Sequence, residues 1–334
     1  MIERKRTANN CCNPGAGGKK IPINVIGGFL GAGKTTFLNY ILDHNPDERT
    51  DVLIREYGKE AVDDKLLHEF DGKVYVFSGI SLHEDAQLLL HDRLKDLYQE
   101  NDGYPEFDRL LLETSGIDRP DSLLQLFMVG HIPHMYRLGS FAVVVDAQYG
   151  MLDLEEYDVA VEQVACADVI LLNKMDLATE EEMEALEEKI SSINGMARIY
   201  RTSYCEIPLE YVKDLTVYQQ LKDLAPGRTG EGMNGIYTIT LSESRPMDKQ
   251  KVNEWIDHLY RMEGPKFLRG KGFFSFAGED WRYEFQSVRK SFHSKTDRLW
   301  YDDEERKSTV VLIGENLPDE KELRESFAAC AADL

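Results

Sequence analysis

The stretch Gly28-Phe29-Leu30-Gly31-Ala32-Gly33-Lys34-Thr35 decides the fold. Its glycines let successive backbone N–H groups turn inward around phosphate oxygens. The apolar run Ile21 to Gly27 before it reads as a buried strand, and Lys34 to His44 after it as a helix. The start of that helix adds partial positive charge where a phosphate would sit. Lys34 is expected to reach the β- and γ-phosphates, and the Thr35 hydroxyl to ligate Mg²⁺. Gly28, Gly31, Ala32, Gly33 and Thr36 are the remaining expected phosphate contacts.

Working outward, short apolar runs alternate with helical spacing. Val52 to Arg55, Val74 to Phe77, Arg109 to Glu113, Phe141 to Asp146 and Val169 to Asn173 read as strands, and Leu82 to Leu97 as a helix. Continuous apolar strands separated by helices predict an α/β domain of the P-loop NTPase type: a mostly parallel sheet with helices on both faces. Thr179 with Glu182 three residues on predicts a capped helix start. The rhythm breaks near Ala225, where Pro226, Gly227, Gly230 and Gly232 mark a linker. Beyond it, strand-like runs at Ile236 to Leu241, Gly272 to Phe276, Trp281 to Phe285 and Thr309 to Ile313 surround an amphipathic helix, Asp248 to Tyr260, and a last helix starts near Asp319. We therefore expect a flexible tail over 1–20, a P-loop domain over 21–225, a linker over 226–234 and a smaller α+β domain over 235–328.

Two further motifs fall at strand ends. Asn173-Lys174-Met175-Asp176 follows an apolar strand, and its aspartate can accept from the N1–H and exocyclic amine of guanine. Adenine lacks that donor pair and would leave the carboxylate unpaired. Thr202 and Ser203 are expected to complete the base pocket. Leu110-Leu111-Leu112-Glu113-Thr114-Ser115-Gly116 ends an apolar strand in an acid. Glu113 can hold Mg²⁺ or orient the attacking water, and Gly116 allows the backbone to approach the γ-phosphate.

The chain has 334 residues and a net charge of −21. That balance argues against a nucleic-acid partner, since phosphate contacts need clustered Lys and Arg. No apolar run is long enough to span a membrane. Five cysteines without framework spacing argue against a secreted disulfide scaffold, and no secretory signal precedes the domain, so a cytoplasmic protein is expected. Cys11-Cys12 lie in the tail without a nearby third ligand, Cys166 reads as packing, and His131 and His134 as an exposed loop pair.

Gly27 to Thr36, Glu113 to Gly116 and Asn173 to Asp176 together resemble the CobW-like P-loop GTPases, a branch related to the urease and hydrogenase maturation GTPases. Arg245-Pro246, the helix around Trp255, Arg269 to Gly272, Phe285-Gln286 and Val311 to Gly314 are similar to that family's C-terminal domain, so the resemblance runs from about Ile21 to Ala328. It implies metal delivery or cobalamin metabolism, with a client metallo- or corrinoid protein as partner. By the same resemblance, Glu56 is a switch residue associated with Mg²⁺ and Asp63 positions the attacking water.

The sequence departs from the family pattern at three places. Arg55 stands where the first switch carries Asn, and Lys59 where it carries an acid. The family's metal-binding cysteine motif is replaced by Ser78-Gly79-Ile80-Ser81-Leu82-His83, and one histidine is not a tetrahedral site. The expectation is GTP with Mg²⁺, slow hydrolysis serving as a switch with Lys34, Glu113 and Asp63 in the catalytic roles, and no tight transition-metal site in the GTPase domain. A nucleotide-gated binding module with negligible hydrolysis is the alternative; the Asn173 to Asp176 motif speaks against an ATP-using kinase. Homo-oligomerisation is left open.

Overall fold

The structure is a computed structural model that describes residues 20–56, 72–78, 84–103, 105–229, 235–262, 264 and 266–333. Among these, a first layer alternates strand and helix: β1 (Ile21–Gly28), α1 (Lys34–Asp43), β2 (Thr50–Glu56), β3 (Val74–Ser78), α2 (Glu84–Gly103), β4 (Arg109–Glu113), α3 (Pro120–Gln125), α4 (Ile132–Met135), β5 (Tyr136–Asp146), α5 (Gly150–Glu156), α6 (Asp158–Cys166), β6 (Val169–Asn173), α7 (Glu180–Ile193), β7 (Arg198–Arg201) and α8 (Val217–Leu221). The strands form a sheet in the order β3-β2-β4-β1-β5-β6-β7. Its paired neighbours are all parallel. Every residue of β1, β4 and β6 is buried, as expected of strands covered on both faces.

The register explains where chemistry collects. Ile26 lies opposite Glu113, and Asp146 opposite Asn173. The C-terminal ends of β1, β4, β5 and β6 thus reach one edge, the usual place for a ligand in an open parallel sheet. Thr179 caps α7 in a full capping box with Glu182, as its spacing predicts. The expected strand at Phe141 is longer, because Tyr136 to Ser140 also pair with β1 around a bulge.

The rest of the chain builds a second sheet from β8 (Gly227–Thr229), β9 (Ile236–Glu243), β10 (Lys266–Ser275), β11 (Trp281–Val288), β12 (Ser291–Leu299) and β13 (Ser308–Glu315), with α9 (Lys249–Arg261) and α10 (Glu320–Ala328). It is antiparallel, in the order β12-β11-β10-β13-β9-β8. Part of the expected linker, Gly227–Thr229, is instead a strand that pairs with β9. One face of this sheet packs under α9 and α10, where Trp255 meets Phe327 with ring centroids 5.1 Å apart. The other face contributes Leu268, Phe273, Val288, Val311 and Ile313 to the same core as Ala165, Cys166, Ile193 and Leu221 of the first layer. Cys166 is packing, as expected.

A buried charge cluster seals this seam. Asp168, just ahead of β6, lies 2.7 Å from Lys271 Nζ and 3.5 Å from Arg269 Nη2, both on β10. Burial alone would raise the Asp168 carboxyl, but Lys271 and Arg269 outweigh it and hold it below its ordinary value. No described helix is long and apolar enough to cross a membrane.

Candidate functional site

The loop between β1 and α1 is shaped by its glycines. Gly33 caps α1 at φ 114°, in the left-handed region that side chains avoid. A Cβ there would fall 2.5 Å from Asn173 Nδ2. The loop is further fixed from β6: Asn173 Nδ2 donates to Ala32 O at 3.0 Å and Lys174 Nζ to Gly31 O at 2.9 Å. Asn173 and Lys174 at the end of β6 therefore brace the glycine-rich loop after β1.

Lys34 Nζ donates to Phe29 O across the loop at 3.1 Å. Burial pushes its ammonium below the ordinary lysine value, against Glu113 and Asp118, which raise it. A buried cation in that position gains most from an anionic phosphate. The Thr35 hydroxyl donates to Glu113 Oε1 at 2.9 Å, joining the first turn of α1 to the end of β4. Two hard oxygen donors side by side suit Mg²⁺, which takes oxygen ligands and keeps several waters. Thr36 is exposed on the next position. Gly116 follows Glu113 and lies against the loop, where a Cβ would meet the Leu30 side chain at 2.6 Å and Leu30 N at 2.8 Å.

Beyond β6, Asp176 is exposed, and its Oδ1 accepts from Ser203 Oγ at 3.1 Å. Thr202 is buried, and its carbonyl accepts from Met175 N at 3.2 Å. The structure thus brings together Lys34, Thr35, Glu113 and Gly116 at one end and Asn173, Lys174, Asp176, Thr202 and Ser203 at the other. Glu56 is described only as the last residue of β2. Lys59, Asp63, His83, Cys11 and Cys12 lie outside the described residues. His131 and His134 are exposed at α4. Among the described residues, no group of three or more His, Cys, Asp and Glu could hold a metal ion.

Three contributors escaped the reading of motifs. Asp146 ends β5 and accepts from Lys174 Nζ at 2.6 Å, fixing that lysine over the loop. Its place at the end of an apolar strand was the available signal. Cys205 N donates to Asn173 Oδ1 at 3.0 Å, orienting the amide that braces Ala32. Arg55 Nη1 lies 3.1 Å from Asp118 Oδ1 with both side chains buried, a pairing between β2 and the loop after β4 that no local pattern announces.

Residues 22–201 match the family model described as CobW/HypB/UreG, nucleotide-binding domain, and residues 236–331 match that of the cobalamin synthesis protein cobW C-terminal domain. The chain is 31% identical over 315 residues to the zinc chaperone YjiA of Escherichia coli, covering 92% of this chain and 98% of that one. It is 27% identical over 334 residues to the zinc chaperone CobW of Pseudomonas aeruginosa, covering 89% and 88%. The crystal structure of Zn(II)-bound YjiA GTPase from E. coli superposes with a TM-score of 0.66 at 29% identity, over 94% of this chain and 100% of that one. With the phosphate loop, the acidic strand end and the base motif meeting at one sheet edge, the chain belongs to the CobW/HypB/UreG nucleotide-binding family and carries the CobW C-terminal domain.

Proposed function

We propose that this protein is a Mg²⁺-dependent GTPase that serves as an accessory factor for a client metalloprotein. The observation that carries the reading is the bracing of the phosphate loop by the guanine motif, Asn173 to Ala32 and Lys174 to Gly31. Occupancy of the base pocket and the posture of the phosphate loop are then one variable. Lys34 neutralises charge on the β- and γ-phosphates, while Thr35 and Glu113 hold Mg²⁺ directly or through water. Asp176 selects guanine, with Ser203 beside it. Gly28, Gly31, Ala32, Gly33 and Thr36 surround the phosphates. Glu56 and Asp63 are the switch residues that the family pattern assigns to Mg²⁺ and to the attacking water. Catalysis is positioning and charge stabilisation, so turnover without a partner is slow, and hydrolysis works as a switch.

Likeness to zinc chaperones supports zinc as the cargo handled for the client. Soft, tight sites need several thiolate or imidazole ligands, and the stretch Ser78 to His83 supplies one histidine and no cysteine. The protein would therefore gate a client's metal loading by its GTP state without holding zinc tightly in its GTPase domain. The test is GTP turnover with and without metal-free client, together with zinc and cobalt titration of the full chain and of a chain lacking residues 1–20. Client-stimulated turnover with no submicromolar zinc site in the shortened chain is the expected result. Stoichiometric tight zinc binding that survives removal of the tail would replace gating by carriage. Client binding that follows GTP without any hydrolysis would make the protein a nucleotide-gated binding module.

A further inference from the structure

The first switch of the family carries Asn where this chain has Arg55, and the structure shows what the arginine does. Arg55 sits on β2 one residue beyond Ile54, which lies opposite Glu113 in the register with β4. Its Nη1 is 3.1 Å from Asp118 Oδ1, with side-chain exposures of 6% and 3%. A buried pair of this kind is rigid, since separating the partners would strand a desolvated charge. The other oxygen of Asp118 accepts from Ser115 N at 2.9 Å, and Asp118 N donates to Ser115 O at 3.2 Å. These bonds close the turn from Ser115 to Asp118. Gln163 of α6 holds the same turn from the far side, donating to Gly116 O at 3.3 Å and Asp118 O at 3.0 Å. Gly116, near the middle of the turn, presses against Leu30 of the phosphate loop. The turn thus lies beside the loop that cradles the phosphates, and its aspartate is clamped by a cation from the neighbouring strand.

We propose that Arg55 is a positioning residue for GTP hydrolysis: by clamping Asp118 it fixes the turn that presents the Gly116 backbone to the terminal phosphate. The inference rests on the GTPase reading above. Arg55 makes no contact with the nucleotide in this role. It acts through Asp118, and it ties the last residues of β2, where the first switch begins, to the loop after β4. A neutral Asn at the same position could reach a carboxylate only with a shorter side chain and an uncharged donor, so the clamp is a property of this chain and not of the family pattern. Hydrolysis depends on placing the phosphate donors and the water within fractions of an ångström, so a loosened turn reduces the chemical step while leaving binding of the nucleotide's base and first phosphates in place.

The test uses the full chain with Mg²⁺ and four forms: unmodified, R55N, D118N and the double variant. GTP turnover is measured under single-turnover and steady-state conditions, and GDP affinity by calorimetry. Each single variant is expected to lose about ten- to a hundredfold in kcat, with GDP affinity unchanged. The double variant should be no slower than the slower single one, because both changes open the same clamp. D118N keeps an oxygen acceptor for Ser115 N, so it decides the matter if R55N fails to fold: a slowed D118N supports the clamp, and an unchanged D118N overturns it. R55K, which retains a cation, should recover part of the rate. Independent, multiplying losses would overturn the proposal, as would a slow R55N beside a fully active D118N, which would mean that Arg55 acts on the nucleotide directly. Absence of hydrolysis in the unmodified chain would defeat the GTPase reading and this inference together; full activity in D118N defeats the inference alone.

Discussion

The Thr35 hydroxyl donates to Glu113 Oε1 across 2.9 Å, so the first turn of α1 and the last residue of β4 meet. Thr35→Ala removes one oxygen of the pair and leaves Lys34 untouched. Mg²⁺ should then no longer tighten GTP binding, and turnover should fall on the order of a hundredfold or more. Lys34→Ala should also abolish turnover, while keeping the Mg²⁺ response. Calorimetry with and without Mg²⁺ separates the two; an unaltered Mg²⁺ response in Thr35→Ala removes Thr35 from the ion.

Asp176 is exposed and is engaged by Ser203 Oγ, so its carboxylate is oriented but available. Changing it to Asn turns a pure acceptor into a mixed donor and acceptor. Preference should move from guanine towards xanthine nucleotides by about tenfold or more. Competition between GTP and XTP for the Asp176→Asn variant measures it. Equal affinity of the unmodified protein for ATP and GTP would contradict the base assignment.

Gly33 combines a φ of 114° with an Asn173 amide only 2.5 Å from where a Cβ would sit. Gly33→Ala must therefore strain the backbone, by about 1–2 kcal/mol for the left-handed region alone, and displace Asn173 from Ala32. We expect a lower melting temperature and loss of GTP binding together. Retention of full GTP affinity in Gly33→Ala would show that the brace between base motif and phosphate loop is dispensable.

Glu48 is expected to make the fold sensitive to acid. It accepts from Arg109 Nε at 2.8 Å, Lys213 Nζ at 2.8 Å and Asn45 Nδ2 at 2.6 Å. Burial works against its charge, but these donors outweigh burial and hold the carboxyl at about 2, below its ordinary 4.5. A depressed folded-state value means that its stabilisation is complete above 4.5 and is lost as pH falls from there towards 2. The melting temperature of the unmodified protein should fall more steeply across that window than that of Glu48→Gln. Parallel slopes would assign the acid sensitivity to other carboxylates, such as Asp214, which is held below its ordinary value against burial by Arg109 and Arg137.

The parallel sheet and the nucleotide edge were legible because their signals are local. Ile21 to Gly28 and Val169 to Asn173 are buried on both faces and read as unbroken apolar runs. The chain also carries each motif in one piece, from Gly28 to Thr35 and from Asn173 to Asp176. What escaped was polar or non-local. β12, Ser-Phe-His-Ser-Lys-Thr-Asp-Arg-Leu from Ser291, is an edge strand, half exposed, whose alternation is blurred by charge. The helix Asp158–Cys166 buries Glu162 and Gln163, which pair with Arg119 and with the Gly116 turn, so its inner face does not look apolar. Gly227–Thr229 carries breakers in a strand, because it pairs along one side only. The Arg55 clamp joins a strand to a loop 63 residues on in the chain, a pairing no local pattern signals.

The shared seam between the two sheets sets the order in which the molecule can be made. Asp168 is synthesised 101 residues before Arg269, one of its two buried cations. Ala165, Ile193 and Leu221 emerge before Val311 and Ile313, which join the same core near the end of the chain. Synthesis runs from the N-terminus, so Asp168 waits through 101 residues for Arg269, and the apolar wall of the parallel sheet waits for the second sheet to follow. β13, the strand that joins β10 to β9, arrives last. A chain that stops before Ser308 lacks the strand that joins β10 to β9 and leaves the shared apolar core incomplete.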